Sequence, residues 1–141
     1  MTIEVGSDVL SIALSNNGMQ IVSGSRDKSV RVWDASSGIE LRVLNGHTNW
    51  VTSVAISNNS AQIVSGSRDK SIRVWDASTG AQLKVLNGHS DWVNSVAFSH
   101  DGIQIVSGAQ DKSVRIWDAS TSAKPVLVIE HSAVLHRPIV S

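Results

Sequence analysis

Apolar and polar residues alternate along most of this chain, in short stretches separated by clusters of turn-forming residues. Alternation with a period of two is typical of β-strands with one buried face, because successive side chains point to opposite sides of a sheet. In the middle of the chain it predicts four strands, VTSVAIS (51–57), QIVSGS (62–67), SIRVWD (71–76) and AQLKVLN (81–87). The intervening segments SNNSA, RDK and DASTG consist of residues that tolerate tight turns. The chain is therefore predicted to be all-β.

The same pattern recurs along the chain with a period of 42 residues. Residues 20–61 align with residues 62–103 without a gap, and 29 of the 42 positions are identical. A third copy begins at Gln104 and diverges after about Ser122. Repeats of this length indicate stacked supersecondary units that share a core. We predict three units, at about residues 8–49, 50–91 and 92–133, followed by a divergent tail at 134–141.

Charge and composition limit the classes of protein that this chain can represent. It has 12 Lys and Arg residues against 12 Asp and Glu residues, so nothing in its balanced charge demands a nucleic-acid partner. It has no cysteine, which excludes disulfides and thiolate metal sites. The first ten residues lack the features of a secretory signal, and no apolar run reaches membrane-spanning length. We expect a cytoplasmic protein without membrane contact.

The stretch GHTNWVTSVAISNNSAQIVSGSRDKSIRVWDAS, residues 46–78, resembles the WD-repeat family of β-propellers. The resemblance rests on the Gly-His pair that ends at His47, on Asp69 and on Trp75-Asp76, each of which recurs one period later. It covers roughly residues 8–120. The resemblance implies that the chain contains three propeller blades, each made of four antiparallel strands.

A Ser, a His, an Asp and a Trp recur together in the units and have two interpretations. They could form a nucleophilic site, but an active site is needed once and these residues repeat. Alternatively, a buried indole N–H needs an acceptor, which a hydroxyl, a neutral imidazole and a carboxylate supply in series. The resemblance implies this series, which would run through Trp75, Ser65, His47 and Asp69 in the second unit. The equivalent residues are Trp117, Ser107, His89 and Asp111 in the third unit, and Trp33, Ser23 and Asp27 in the first.

No other group of residues in the sequence indicates a cofactor or metal site. The segment SGSRDKS lacks the spacing of a phosphate-binding loop, and His131 and His136 have no supporting carboxylates. Each basic residue cluster of the hairpins sits beside an Asp, which favours a solvated hairpin edge over phosphate contacts. We therefore expect no enzymatic activity, no cofactor and no bound metal.

The family resemblance implies that partners dock on the face formed by the Gly-His loop and the Asp-bearing hairpin. Trp and Arg are the residue types that most often anchor interfaces, and both would stand on this loop face. The candidate partner-binding residues are Arg26, Arg68, Gln110, Trp50, Trp92, Thr52 and Asn94. The alternative is that the two tryptophans only cover the edges of their blades.

Three blades form an open arc, because propellers close with about four to eight blades and each blade has two apolar faces. The first unit has Val5 where the others have a histidine, and His131 lies in register with those histidines but has no complete unit after it. We therefore predict a homo-oligomer, most simply a dimer with six blades, in which His131 of one copy completes the first unit of the next. The alternatives are that the chain is a piece of a longer seven-bladed protein or a divergent gene with a scrambled end.

These patterns favour a non-enzymatic scaffold that binds protein or peptide partners on the loop face of a propeller. A different class of function is left open. Near-identical repeats would also suit a small-ligand or carbohydrate-binding propeller, similar to a lectin, with one equivalent pocket per blade.

Overall fold

The fold is described from a computed structural model, which covers residues 1–120 and 124–131. These residues form strands and turns and no helix, so no helix among them is long and apolar enough to cross a membrane. The strands are β1 (Val9–Leu14), β2 (Gln20–Ser25), β3 (Val30–Asp34), β4 (Glu40–Leu44), β5 (Val51–Ile56), β6 (Gln62–Ser67), β7 (Ile72–Asp76), β8 (Gln82–Leu86), β9 (Val93–Phe98), β10 (Gln104–Ala109), β11 (Ser113–Asp118) and β12 (Pro125–Glu130). The tail predicted at 134–141 lies outside the described residues.

The strands form three four-stranded antiparallel sheets, β1–β4, β5–β8 and β9–β12. In each sheet, strands that follow one another in the chain are also neighbours in space, as short turn connections require. The all-β prediction with three four-stranded blades is therefore confirmed. The predicted unit boundaries fall between the sheets and stay a prediction, and so does closure into a ring.

Successive blades pack face to face, so each blade has two faces. The front face carries Gly24, Gly66 or Gly108, and the back face carries the valine that begins β1, β5 or β9. The front of the first blade buries Val22, Val30, Val32 and Leu44 against Val51, Val54, Ile63, Trp75 and Ala77 on the back of the second. The front of the second blade buries Val64, Ile72, Val74 and Leu86 against Val93, Val96, Ile105, Trp117 and Ala119 on the back of the third. The core thus lies between blades, as expected of stacked repeats.

The outer strand of the third blade is shifted by one residue relative to the outer strands of the other two. Trp75 lies opposite Gln82, seven residues further along the chain, whereas Trp117 lies opposite Pro125, eight residues further along. The same one-residue difference continues along β12. Counting 42 residues back from a residue of β12 therefore gives a position in the second blade that is one residue too late. The structural equivalent lies 43 residues back.

Candidate functional site

A chain of hydrogen bonds runs from the interior of the second blade to its loop edge. Trp75 Nε1 donates to Ser65 Oγ at 2.9 Å, and Ser65 Oγ lies 2.7 Å from His47 Nε2. His47 Nδ1 lies 2.8 Å from Asp69 Oδ2. His47 comes from the β4–β5 connection and Asp69 from the β6–β7 hairpin, so the network fastens the connection to the hairpin.

The Asp69 carboxylate is held by the backbone and side chains around it. The Ser71 N–H and O–H donate to Asp69 Oδ1 at 2.8 and 2.6 Å, and the Thr48 N–H donates to Oδ2 at 3.0 Å. Burial raises the pKa of Asp69, but the hydrogen bonds from His47 and Ser71 outweigh burial and hold this pKa well below its usual range. Asp69 is therefore an ionised acceptor at neutral pH.

The third blade repeats this network with nearly the same distances. Trp117 Nε1 donates to Ser107 Oγ at 2.9 Å, Ser107 Oγ lies 2.7 Å from His89 Nε2, and His89 Nδ1 lies 2.8 Å from Asp111 Oδ2. Burial lowers the pKa of His89 and outweighs the Asp111 carboxylate, which raises it. The imidazole is thus neutral at pH 7. Because a carboxylate only accepts, the ring proton lies on Nδ1 and Nε2 accepts from the serine hydroxyl.

The geometry of these serines suits structure and not nucleophilic attack. Ser65 is 0% exposed and Ser107 is 1% exposed, so a substrate could not reach either hydroxyl. Each hydroxyl accepts a hydrogen bond from an indole and donates one to an imidazole. The hydroxyl proton is therefore already engaged in a hydrogen bond. The networks therefore satisfy buried polar groups, each of which would otherwise destabilise the blade by about 1–3 kcal/mol.

The first blade keeps only half of this arrangement. Trp33 Nε1 donates to Ser23 Oγ at 3.0 Å, as in the other blades. Val5 stands at the histidine position and lines the same groove as Trp33 and Ser23, so no imidazole accepts from the serine there. Asp27 Oδ2 instead accepts from Arg31 Nη2 at 3.0 Å. An arginine therefore takes the place of the histidine at the hairpin carboxylate.

The predicted role of His131, to complete the first-blade network of another copy, stays a prediction, and two observations bear on it. Because β12 is shifted by one residue, His131 follows β12 at the place that Gly46 and Gly88 take after β4 and β8. His131 itself is exposed, and its backbone N–H donates to the Lys112 carbonyl at 2.7 Å. The predicted acceptor in a neighbouring copy, Asp27 Oδ2, is also already paired with an arginine.

Four of the predicted partner-binding residues form an alternating stack along the loop edge. The Arg26 guanidinium carbon lies 4.2 Å from the centroid of the Trp50 ring, and that of Arg68 lies 3.6 Å from the same centroid. Arg68 also lies 3.7 Å from the Trp92 centroid, so it is held between two indoles of neighbouring blades. We call this set the Arg–Trp stack. Its cation–π contacts cross both blade boundaries.

The other three predicted partner-binding residues are engaged within the chain. The Thr52 hydroxyl lies 3.1 Å from the Gly66 carbonyl and also contacts the Val93 carbonyl of the next blade. Asn94 Nδ2 donates to Gln110 Oε1 at 2.8 Å. Both of the latter side chains are exposed and continue the loop edge beyond Trp92. The loop face is therefore a connected surface and not a set of independent side chains.

Three residues that contribute to the site were not predicted from the sequence. Ser71 and Ser113 anchor the hairpin carboxylates, and their signal was a serine two residues after each hairpin Asp, the spacing of a side-chain–backbone turn. Arg31 replaces the histidine in the first blade, and nothing in its position distinguished it from Arg73 and Arg115, which occupy the same place in the other units.

Residues 1–120 and 124–131 contain no cluster of three or more His, Cys, Asp or Glu side chains that could hold a metal ion. The networks at His47 and His89 each bring together one imidazole and one carboxylate, and the serine between the imidazole and the indole already occupies Nε2.

Comparison with known families identifies the repeats. The family model for the WD domain, G-beta repeat, matches residues 2–34, 38–76 and 80–118. These segments cover most of the chain, which belongs to this family of repeat proteins. Each matched segment after the first begins near the outer strand of one blade and ends with the third strand of the next, so the sequence repeat and the sheet are offset.

Single repeats are similar to parts of much longer proteins. A segment of 42 residues, 30% of this chain and 10% of the relative, is 48% identical to nuclear distribution protein PAC1-2 of Postia placenta. A segment of 44 residues, 31% of this chain and 6% of the relative, is 46% identical to the probable serine/threonine-protein kinase PkwA of Thermomonospora curvata. The chain thus matches about a tenth or less of the length of these relatives.

Proposed function

We propose that this chain is a non-enzymatic WD-repeat scaffold that holds a protein or peptide partner on its loop face. The observation that carries the proposal is the Arg–Trp stack, which fixes two indoles and two guanidinium groups along one edge of all three blades. Trp92 remains 38% exposed, so one indole is still available to a partner. Aromatic and Arg groups that are already ordered bind with little further loss of side-chain entropy.

A second part of the proposal is that copies of the chain complete a ring by self-association, most simply as a dimer. The support is the apolar surface at the two ends of the stack of blades, where Ile12 is 71% exposed and Val114 is 40% exposed. Exposed apolar sheet faces of this kind favour association. We also propose that the scaffold works in the cytoplasm, with which its lack of cysteine is compatible.

A peptide selection tests the loop-face proposal directly. Peptides selected from a displayed library on the purified chain would be titrated against the wild type and against Trp92→Ala. We expect the substitution to weaken binding about tenfold or more, the effect of losing an interface anchor. Asn58→Ala, an exposed change in the β5–β6 turn at the opposite edge, is the matched control. Equal affinities for Trp92→Ala and wild type would contradict the proposal.

A further inference from the structure

The two interfaces between blades are built around a glycine that two valines cover. A Cβ atom placed on Gly24 would lie 2.7 Å from Val51 Cγ1 and 3.1 Å from Val54 Cγ1. On Gly66 it would lie 2.7 Å from Val93 Cγ1 and 3.0 Å from Val96 Cγ1. Contacts below about 3 Å are not tolerated between carbon atoms, so only glycine permits this close approach. The front faces of the first and second blades thus each receive two valines of the next back face.

The two ends of the stack carry the separate halves of this same interface. A Cβ atom on Gly108 would have no neighbour within 4 Å among residues 1–120 and 124–131, so none of these residues covers the glycine of the third front face. On the first back face, Val9 is 43% exposed and Ile12 is 71% exposed. The residue equivalent to Ile12 in the second blade, Val54, is only 5% exposed. In the part of the chain that the structure describes, a glycine and an aliphatic pair without a covering blade therefore lie at opposite ends.

The surroundings of Gly108 form a receptor for such a pair. A groove of about 410 Å³ is lined by Gly108, Val114 and Ile129 on the third front face. The equivalents of Val114 in the first two blades, Val30 and Ile72, are both 0% exposed because a neighbouring blade covers them. The groove is thus the site that a following back face would fill.

A hydrogen bond from a backbone N–H to a serine hydroxyl accompanies each internal interface, and the residues next in this series lie at the same two ends. The Val54 N–H donates to Ser11 Oγ of the preceding blade at 3.1 Å, and the Val96 N–H donates to Ser53 Oγ at 3.1 Å. The next members of this series are Ser95 Oγ, on the exposed third front face, and the Ile12 N–H of another copy. The third front face and the first back face are therefore complementary in their polar groups as well as in their apolar groups.

We propose that two copies of this chain pack front to back, with Val9 and Ile12 of one copy covering Gly108 of the other. This rests on the self-association part of the proposed function and specifies the surfaces that meet. The occupant of the groove is a second copy because the chain carries both halves of an interface that it forms twice within itself. Contacts of this head-to-tail kind close into a ring when the rotation per copy divides the circle.

At the loop edge of this proposed contact, two residues differ together from their equivalents at the internal boundaries. Within the chain, Arg68 stacks on Trp92 of the next blade. Across the proposed contact, Gln110 holds the place of the arginine and Asp8 of the next copy holds the place of the tryptophan. Asp8 Oδ2 already pairs with Arg26 Nη1 at 2.8 Å within its own chain, but a carboxylate has a second oxygen that can accept from a side-chain amide. The two changes are therefore compatible with each other.

Two variants, each of which damages one face, test the contact. Ile12→Glu places a charge on the back face, and Gly108→Val fills the glycine on the front face. Analytical ultracentrifugation of the wild type over a range of concentrations should give a mass of at least twice 15.0 kDa. Each variant alone should sediment as a monomer. Leu83→Glu, an equally apolar-to-charged change on the middle blade, is the control and should associate like the wild type.

The decisive measurement mixes the two variants. Ile12→Glu keeps an intact front face and Gly108→Val keeps an intact back face, so the mixture should form a two-chain complex that neither variant forms alone. Circular dichroism checks that each variant is folded, and Val114→Lys replaces Gly108→Val if the latter does not fold. Failure of the mixture to associate, or association of Ile12→Glu alone, would overturn the front-to-back contact while leaving self-association in place. A monomeric wild type would overturn both, whereas peptide binding at Trp92 is measured independently of either.

Discussion

The first and second blades bury the same Trp–Ser pair but connect it differently to the hairpin carboxylate. In the second blade, His47 joins the serine to Asp69 and its side chain is fully buried. In the first blade, Arg31 pairs with Asp27, whose side chain is 32% exposed, and the serine is not part of that pair. The side chain next to the hairpin carboxylate can therefore have two separate roles. Holding the hairpin carboxylate needs only a donor, whereas tying the hairpin to the blade interior needs a group that both donates and accepts.

The two solutions should contribute differently to stability. A buried hydrogen bond to a charged group contributes about 1.5–3 kcal/mol, and its loss leaves other buried groups unpaired. A partly exposed ion pair contributes about 0.2–1 kcal/mol and weakens with salt. The second and third blades are therefore expected to be the more stable part of the chain.

The largest expected effect comes from removing the network histidine. His47→Ala removes the acceptor of the Ser65 hydroxyl and one donor to Asp69, although Trp75, Ser71 and Thr48 still contact these groups. It should lower the free energy of unfolding by about 2–4 kcal/mol. Val5→Ala, at the same position of the first blade, should change it by less than about 1 kcal/mol. Urea unfolding at one fixed protein concentration measures both. Similar losses for the two variants would contradict the distinction between the blades.

The hairpin carboxylates give the next largest difference. Asp69→Asn removes a buried ionised acceptor and should destabilise by about 1–3 kcal/mol, whereas Asp27→Asn should cost less than about 1 kcal/mol. High salt should reduce the small effect of Asp27→Asn and leave that of Asp69→Asn nearly unchanged, because the latter side chain is 6% exposed. Thermal unfolding with and without added salt checks this, and an equal salt response would argue against it.

The pH dependence of stability should come from His89 and from the hairpin carboxylates Asp69 and Asp111. The pKa of folded His89 is below its ordinary value, so the unfolded chain takes up a proton first as the pH falls. Stability should therefore be constant above about pH 7, fall as the pH drops through the ordinary histidine range near 6.5, and fall again near pH 4, where the unfolded carboxylates titrate.

A variant identifies the group responsible for the first of these steps. His89→Gln removes the titration and should flatten the melting temperature between pH 7 and about pH 5, even though the variant is less stable throughout. Melting curves recorded across this interval test it. A slope as steep as that of the wild type would assign the effect to other groups.

The smallest expected effect comes from installing the missing histidine. Val5→His alone should stabilise by less than about 0.5 kcal/mol, because Asp27 Oδ2 already accepts from Arg31. In an Arg31→Ala background the same change should gain about 1 kcal/mol, because the carboxylate is then available to the imidazole. A double-mutant cycle measured by urea unfolding gives this coupling, and purely additive effects would show that the two side chains do not compete.

Most of the blade network was predictable because its members recur at a fixed spacing. The tryptophan, serine, histidine and aspartate of the second blade meet as the family resemblance implied. The replacement by Arg31 was not predictable, since an arginine stands at that position in every unit. What differs is its neighbour on the adjacent strand, where Arg31 Nη1 donates to Glu40 and Arg73 Nη1 donates to Gln82.

The position of His131 relative to the other histidines was not predictable for a related reason. Counting 42 residues along the chain places it beside the other histidines, but the pairing of β11 with β12 is one residue out of step with that count. Because side chains alternate between the two faces of a strand, a shift of one residue changes what every side chain in it faces. Sequence spacing predicts such a position only where the connecting turns have equal length.

The sequence by itself determined the strands, their repetition and the residues that close the polar network, because alternation and spacing directly reflect which side chains must be buried or paired. Only the tertiary structure shows which faces of the blades are covered by a neighbouring blade. It shows that the loop-edge arginines and tryptophans stack on one another, and that no described residue covers one glycine and one aliphatic pair at opposite ends. Those features depend on how neighbouring sheets approach each other in space, and identical residues in every unit cannot show which copy lies against a neighbour and which faces solvent.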